Sequence, residues 1–281
     1  MKRGFRGDED GNPSKVAGES SRPPVQRPFL EAASKAAASR IEPSSRTADR
    51  EVSHVATRAS DDADSQLAAA TRDVQPFDIV VVGSSQGGLE ALQGLLAALP
   101  RTFALPIAVA QHRGAGLDDR LLEDALQRHS NLPVRDAEDK DEIEPGHVYL
   151  APADYHLLVE PAGFSLSTGP PVSYARPSID VLFESAADTY FERVIAAVLT
   201  GANRDGAIGA AKVEARGGFV VVLDPADAEN PVMPEAAIAA CRSPRVIPLS
   251  GIAPFLISLV KHAEARAGKR IPAHDKPPGD D

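Results

Sequence analysis

A short turn rich in glycine and serine offers a reactive side chain on an unusually free backbone. Residues 83–87 read GSSQG, which matches the pattern G-x-S-x-G. In that pattern a strand turns sharply into a helix, and the serine hydroxyl is exposed on the corner. The N–H groups at the start of the helix face the place where an oxyanion would develop. The turn therefore predicts a nucleophile at Ser85.

Two other glycine-rich sites fit this turn poorly. A dinucleotide site needs G-x-G-x-x-G and an acidic residue about 20 positions further on. Here position 85 is serine, and residues 101–107 (RTFALPI) contain no carboxylate. A phosphate-binding P-loop needs Gly-Lys-Ser/Thr, and no lysine occurs between residues 77 and 139. A plain structural turn remains an alternative to the nucleophile.

A serine needs a base, and the base needs an orienting acid. Of the seven histidines, His112 directly follows the apolar run PIAVAQ, and Asp205 follows the apolar run RVIAAVLTG. Polar groups at the carboxyl ends of parallel strands meet at one edge of a sheet. We therefore expect Ser85, His112 and Asp205 to act as nucleophile, base and orienting acid. Purely structural roles, a strand-end hydrogen bond for His112 and a helix cap for Asp205, remain open.

The elements that would position these residues alternate regularly between strand and helix from residue 77 to about 262. The run FDIVVVG (77–83) is typical of a strand buried on both faces of a parallel sheet, and residues 155–168 resemble a β-hairpin around Pro-Ala-Gly. The pattern predicts an α/β fold with a doubly wound, mainly parallel sheet, helices on both faces and one antiparallel hairpin. The other strands are predicted at 105–112, 132–136, 146–152, 193–201, 219–224 and 245–250. The helices are predicted at 89–99, 117–130, 176–191, 205–218, 233–241 and 253–268.

Composition divides the chain into three parts. Residues 1–72 contain 12 Lys+Arg, 11 Asp+Glu and only two aromatic residues, with no apolar period that could build a core. We predict a disordered arm over 1–74, a catalytic domain over 75–267 and a flexible tail over 268–281. The formal net charge of −10 therefore belongs to the folded part, which argues against nucleic acid and anionic membranes as partners.

Neither a membrane nor a metal is expected. No apolar run approaches the roughly 18 residues of a membrane span, and the N-terminus lacks the apolar segment of a signal peptide. We expect a cytoplasmic protein without direct membrane insertion. The single cysteine, Cys241, excludes a disulfide framework and a cysteine-based zinc site, and is expected to be a buried, inert thiol. No cofactor or metal is predicted.

Residues 77 to 260, about two thirds of the chain, resemble the catalytic domain of the chemotaxis protein-glutamate methylesterases (CheB). The matching stretches, in the family's order, are VVVGSSQGGLEAL, VAQHRGAG, EPGHVYLAPADYHLLV, GPPVSYARPSIDVLFESAA, AVLTGANRDGAIGA and MPEAAI. The resemblance implies a parallel sheet and hydrolysis of glutamate γ-methyl esters on chemoreceptor cytoplasmic helices, with deamidation of receptor glutamines as a second activity in some members. By position it assigns the same three residues: Ser85, His112 and Asp205.

The chain departs from the family pattern close to the predicted site. Gln86 stands where Thr or Ala is usual, and Ala202 stands where the family's TGMG has methionine. Pro231-Val232 replace the usual Phe-Gly before MP. A catalytically weak or inactive binding module and a broader serine esterase therefore remain alternatives. The candidate substrate or oxyanion region comprises Gln86, Gly87, Ala202 and Met233.

Two further features follow from the resemblance. Typical members carry a receiver domain, and residues 1–74 are too short and too polar to form one. We therefore expect a stand-alone esterase domain whose arm contacts other chemosensory proteins. The signature stretches also contain residues that either line the cleft or have structural roles, with an Arg176–Asp180 ion pair and a helix cap as the structural alternatives. These residues are His156, Arg176, Ser178 and Asp180.

Overall fold

The structure, a computed structural model, describes residues 77–113 and 119–267. The predicted arm over 1–74 and the predicted tail over 268–281 lie outside the described residues. Within the described part, no helix is both long enough and apolar enough to cross a bilayer.

Seven strands of the described chain form one parallel sheet, and two more form a separate antiparallel hairpin. The strands are β1 Ile79–Ser84, β2 Ile107–Gln111, β3 Val134–Asp136, β4 Val148–Leu150, β5 His156–Glu160, β6 Gly163–Ser167, β7 Val194–Val198, β8 Phe219–Leu223 and β9 Arg245–Ile247. The sheet order is β3-β4-β2-β1-β7-β8-β9, and every neighbouring pair is parallel. The predicted sheet and hairpin are therefore confirmed.

Helices cover both faces of the sheet, as predicted. The helices are α1 Gly88–Ala98, α2 Asp119–Gln127, α3 Ile179–Tyr190, α4 Ala207–Ala215, α5 Val232–Ala240 and α6 Leu249–Ala267. Alternate residues of β1 point to opposite sides. Val80 and Val82 therefore pack with α1, α2 and α6, and Ile79 and Val81 pack with α3, α4, α5 and the hairpin.

The last helix begins earlier than predicted. The prediction started it at residue 253, but α6 begins at Leu249, and Pro254 lies inside it. A proline removes one helical hydrogen bond. Ile252 and Leu256 are fully buried against the sheet, and this packing outweighs the missing bond.

The topology creates a crevice at the carboxyl end of β1. From β1 the chain runs outward to one side through β2, β3 and β4, and it returns through β7 to build the other side. The strand order therefore reverses at β1, and in open α/β sheets ligands bind at such a switch point. The segments that follow β1, β2 and β7 meet there.

Replacement by alanine should change the free energy of unfolding in opposite directions at two glycines. A Cβ on Gly83 in β1 would overlap the branched side chain of Ile179, which is stiff about χ1. We expect Gly83→Ala to lower the free energy of unfolding by about 1–3 kcal/mol. Gly94 lies exposed in α1, and a Cβ there would meet only Leu249 at 3.6 Å. Gly94→Ala should stabilise by about 0.4–1 kcal/mol. Urea unfolding measures both changes, and a shared sign would contradict this account.

Candidate active site

The structure brings Ser85, His112 and Asp205 into one line at the switch point. Ser85 directly follows β1, His112 directly follows β2, and Asp205 lies between β7 and α4. Nδ1 of His112 is 3.2 Å from Oγ of Ser85. Nε2 of the same ring is 2.7 Å from Oδ2 of Asp205. Hydroxyl, imidazole and carboxylate therefore form a continuous hydrogen-bonded path.

The partners of the ring determine its tautomer. The carboxylate of Asp205 accepts hydrogen bonds, so Nε2 of His112 carries the proton that is donated to it. Nδ1 is then left as an acceptor for the Ser85 hydroxyl. Chymotrypsin-like proteases use the two nitrogens the other way round, but the roles are the same. The geometry suits the histidine as a general base for the serine.

Asp205 is fully buried and is held at the N-terminus of α3. Its Oδ2 accepts from the Ile179 N–H at 2.7 Å. Its Oδ1 accepts from the Ser178 hydroxyl at 2.9 Å and the Asp180 N–H at 3.1 Å. Burial alone would raise the pKa of Asp205, but the hydrogen bond from His112 and the three donors of α3 hold this pKa below its ordinary value. The acid is therefore a fixed carboxylate.

Asp180 accepts hydrogen bonds from the N-terminus of α4 in the same way that Asp205 accepts them from α3. Its Oδ1 accepts from the N–H groups of Gly206 and Gly209 at 2.9 and 2.8 Å, at the start of α4. Asp205 thus caps α3, whose first turn contains Asp180, and Asp180 caps α4, which follows Asp205. We call this arrangement the crossed caps of Asp180 and Asp205. Burial, with a further contribution from the Asp205 charge, raises the pKa of Asp180 to about 6, although the two glycine N–H groups oppose the shift.

Backbone hydrogen bonds hold Ser85 in its turn. The Ser85 N–H donates to the Thr200 carbonyl at 2.9 Å, and the Ser85 carbonyl accepts from the Gly88 N–H at 2.9 Å. Gly87 adopts a left-handed φ of 75°, which glycine tolerates without strain. Within the described part of the chain, the N–H groups of Gln86 and Gly87 have no acceptor. These two groups are therefore available to an oxyanion.

The candidate substrate region divides between surface and core. The Gln86 side chain is exposed, donates to Glu229 at 3.3 Å and accepts from Asn230 at 3.2 Å. It therefore ties the nucleophile turn to the loop before α5. Ala202 is also exposed. Met233 is fully buried and packs under Gly201, so closely that a Cβ on this glycine would meet the methionine sulfur within 2.9 Å.

Two residues of the signature stretches, Ser178 and His156, form hydrogen bonds that hold α3 and the loop before it. Ser178 caps α3, as predicted, by accepting from the Val181 N–H. His156 is buried. Its Nδ1 accepts from the Ser178 N–H at 3.2 Å, and its Nε2 is 3.0 Å from the Pro170 carbonyl. His156 therefore links the hairpin to the loop before α3.

The Arg176–Asp180 ion pair, which the sequence analysis gave as a structural alternative, does not form. The guanidinium of Arg176 donates to the carbonyls of Thr168 and Gly169 at 3.0 Å each and to Asp154 at 3.4 Å. Asp180 is already bound by the N–H groups of α4. The arginine therefore closes the base of the loop instead of neutralising the buried aspartate.

Three polar residues around the site were missed by the sequence analysis. Gln111 donates through Nε2 to the Ser85 carbonyl at 2.8 Å and to the His112 carbonyl at 3.0 Å. Thr200 donates through Oγ1 to the Gln86 carbonyl at 2.9 Å. Asn203 places Nδ2 at 3.4 Å from Nδ1 of His112. Each lies at a strand end or in the following loop, which was the available signal.

A cavity of about 420 Å³ opens beside the histidine and gives access to the site. Its walls include His112, Asn203, Tyr174 and Arg176. Among residues 77–113 and 119–267, no group of three or more His, Cys, Asp or Glu side chains is placed to hold a metal ion. Cys241 is buried, as predicted, and burial together with the nearby Glu214 charge raises its pKa to about 11.

A doubly wound sheet with serine, histidine and aspartate at its switch point is an arrangement of serine hydrolases. The sequence model of the CheB methylesterase family matches residues 80–256, and the chain belongs to this family. The crystal structure of the Thermotoga maritima CheB methylesterase catalytic domain superposes with a TM-score of 0.62 at 36% identity, over 66% of this chain and 99% of that one.

Named relatives agree with this assignment. A putative protein-glutamate methylesterase/protein-glutamine glutaminase of Leptospira interrogans is 44% identical over 184 residues, which are 65% of this chain and 95% of the relative. Protein-glutamate methylesterase/protein-glutamine glutaminase 2 of Caulobacter vibrioides is 42% identical over 188 residues, which are 65% of this chain but 54% of the relative. The match therefore spans nearly all of one relative and about half of the other.

Asp180→Asn should change how stability depends on pH. The raised pKa of Asp180 means that between its ordinary 3.8 and about 6 the folded chain binds more protons than the unfolded chain, so this residue's contribution to stability falls as pH rises. Asparagine keeps an oxygen acceptor for Gly206 and Gly209 but does not titrate. The free energy of unfolding of the variant minus that of the wild type should therefore increase from about pH 4 to about pH 6, and this difference should stay constant at higher pH.

Urea unfolding of both proteins across this range measures the difference. Asp205, whose pKa is lowered, contributes in the opposite direction and only at lower pH, where its stabilising effect is lost as pH falls. A difference between the two proteins that stays constant from pH 4 to 7 would contradict the assignment of the titration to Asp180.

Proposed function

We propose that this chain is a protein-glutamate methylesterase that removes methyl groups from glutamate side chains of chemoreceptors in the cytoplasm. One observation carries the proposal: a serine, a histidine and a buried aspartate are hydrogen-bonded in line in a member of the CheB methylesterase family. The substrate is the cytoplasmic helical region of a methylated receptor, and the pathway is chemosensory adaptation.

The geometry supports a two-step ester hydrolysis. Nδ1 of His112 takes the Ser85 proton while Oγ attacks the ester carbonyl carbon, and the N–H groups of Gln86 and Gly87 stabilise the oxyanion. The imidazolium, balanced by Asp205, then returns the proton to the methoxide, and methanol leaves. A water molecule activated by Nδ1 attacks the acyl-enzyme and releases the glutamate carboxylate, which restores the serine.

The same site suits a glutamine side chain as a second substrate. A γ-amide presents the same carbonyl to Ser85, and the imidazolium of His112 protonates the amide nitrogen as the C–N bond breaks, so that ammonia leaves instead of methanol. The relatives from Leptospira interrogans and Caulobacter vibrioides carry both activities in their names. Deamidation of receptor glutamines is therefore part of the proposal, through the same three residues.

Two alternatives compete with this proposal: a binding module without turnover, and an esterase of broader specificity. The Gln86 side chain is turned towards Glu229 and Asn230, and it leaves the 3.2 Å approach of Ser85 to His112 intact. This placement favours turnover. The breadth of specificity depends on the cavity walls and is decided by comparing substrates.

Methanol release from a methylated receptor fragment tests the proposal. We expect release by the wild type and a loss of roughly 10³-fold or more in Ser85→Ala, because the nucleophile is removed while the fold is kept. Ser250→Ala, an exposed serine at the start of α6, is the matched control and should keep the wild-type rate. Ammonia release from an unmethylated fragment that contains glutamine measures the second activity.

Each alternative has its own outcome in this experiment. A folded wild type that binds the fragment but releases no methanol would establish the binding module. Release from small methyl esters but not from the receptor fragment would establish the broader esterase. Equal rates for wild type and Ser85→Ala would overturn the role of this serine.

A further inference from the structure

A two-residue turn beside the cleft has an unusual backbone. The Val172 N–H donates to the Ala175 carbonyl at 3.1 Å, and the Ala175 N–H donates to the Val172 carbonyl at 2.9 Å. Between them, Ser173 and Tyr174 have φ values of 51° and 63°. Two successive positive φ values are the mark of a type I′ turn, which favours Asn, Asp and Gly at these positions.

The fold gives no reason for a tyrosine at this position. A bulky side chain is disfavoured in the left-handed region, so Tyr174 destabilises the turn relative to Asn or Gly. Its side chain is 104% exposed, so the ring gains no stability from packing. Strain of this kind persists where the surrounding structure imposes it, and it occurs preferentially at functional sites.

The loop that carries the turn is braced from both sides. His156 contacts the Pro170 carbonyl at 3.0 Å, and Arg176 binds the carbonyls of Thr168 and Gly169 at 3.0 Å each. Tyr174 is therefore presented on a fixed base. A preorganised contact costs less entropy on binding than a flexible one.

Tyr174 lies at the edge of the candidate active site. Tyr174, Asn203 and His112 line the same cavity, so a polypeptide that enters this cavity towards Ser85 passes Tyr174. Val172, in the same turn, is 38% exposed and adds an aliphatic surface next to it. A tyrosine ring offers a large contact area with few rotatable bonds, and such rings commonly anchor protein interfaces.

We propose that the turn at residues 172–175 is a docking element for the polypeptide that carries the modified glutamate, with Tyr174 as its anchor. The ring contacts apolar side chains that flank the modified residue, and it does not contact the reacting ester. The inference rests on the proposed function and names the part of the protein that recognises the substrate as a protein. Tyr174 thereby determines specificity without taking part in the chemistry.

Comparing two substrates tests this role. One is a methylated receptor fragment, and the other is the γ-methyl ester of N-acetylglutamate amide, which has no flanking residues. We expect Tyr174→Ala to lower kcat/KM for the fragment by about tenfold, mainly through KM, as for an aromatic interface anchor. The rate with the small ester should stay within about twofold, since the triad is untouched. Tyr174→Phe should keep most of the activity on the fragment.

Phe191→Ala is the matched control. Phe191 is also an exposed aromatic residue with a positive φ, 53°, but it lies before the amino end of β7, whereas the candidate site lies at the carboxyl ends of the strands. Its replacement should leave kcat/KM unchanged for both substrates. An unchanged rate of Tyr174→Ala on the fragment would overturn the proposal, and so would an equal loss on both substrates.

A second variant separates recognition from the stability of the turn. Ser173→Asn combined with Tyr174→Gly gives the turn its preferred residues, so the melting temperature should rise while kcat/KM for the fragment falls as in Tyr174→Ala. If Tyr174 served only the structure of the turn, the double variant with its preferred turn residues would keep the wild-type kcat/KM for the fragment, and this result would overturn the docking role.

A binding measurement in a variant that lacks Ser85 tests the docking role separately from the proposed activity. In the Ser85→Ala background, Tyr174→Ala should raise the dissociation constant for the methylated fragment by about tenfold. This loss would support the docking role even if the wild type releases no methanol, in which case the proposed activity alone fails. Equal binding by both proteins would overturn the docking role whatever the activity.

Discussion

The carboxylate of Asp205, held without solvent exposure, is the constraint on which the rest of the site depends. An isolated buried charge is too costly to keep, so it must be paired or hydrogen-bonded. Here the start of α3 supplies two backbone N–H groups and the Ser178 hydroxyl, and His112 supplies the fourth donor. The need to solvate one carboxylate therefore fixes both the position of α3 and the orientation of the imidazole.

The crossed caps of Asp180 and Asp205 extend this constraint to α4. Burial, and to a smaller extent repulsion from the neighbouring Asp205 carboxylate, raises the pKa of Asp180 to about 6. The pair is tolerated because each carboxylate faces the positive end of a different helix. Close approach of the helices also requires glycine, since a Cβ at Gly206 would overlap Ile179 and one at Gly209 would overlap Phe183.

Sequence reasoning reached the parts of this site that local patterns encode. The buried strands were readable from β-branched runs, and Ser85, His112 and Asp205 stood out because each follows such a run. The partners of these residues were not readable. Whether Asp180 binds Arg176 or the N–H groups of α4 depends on how two helices cross, and no spacing along the chain specifies a crossing. Likewise the last helix was predicted to begin at residue 253 and not at Leu249, because the packing that stabilises its first turn cannot be read from the local sequence.

The site consists of a buried part and an exposed part, and the departures from the family pattern fall mainly on the exposed one. Asp205, Ser178 and His156 are each bound by several partners in the interior, so a change at any of them leaves a donor or acceptor unsatisfied. Gln86 and Ala202 lie on the surface. Neither residue takes part in the hydrogen bonds that join Ser85, His112 and Asp205, so a change there removes none of these bonds. Recognition can therefore diverge in this fold while the chemistry is preserved.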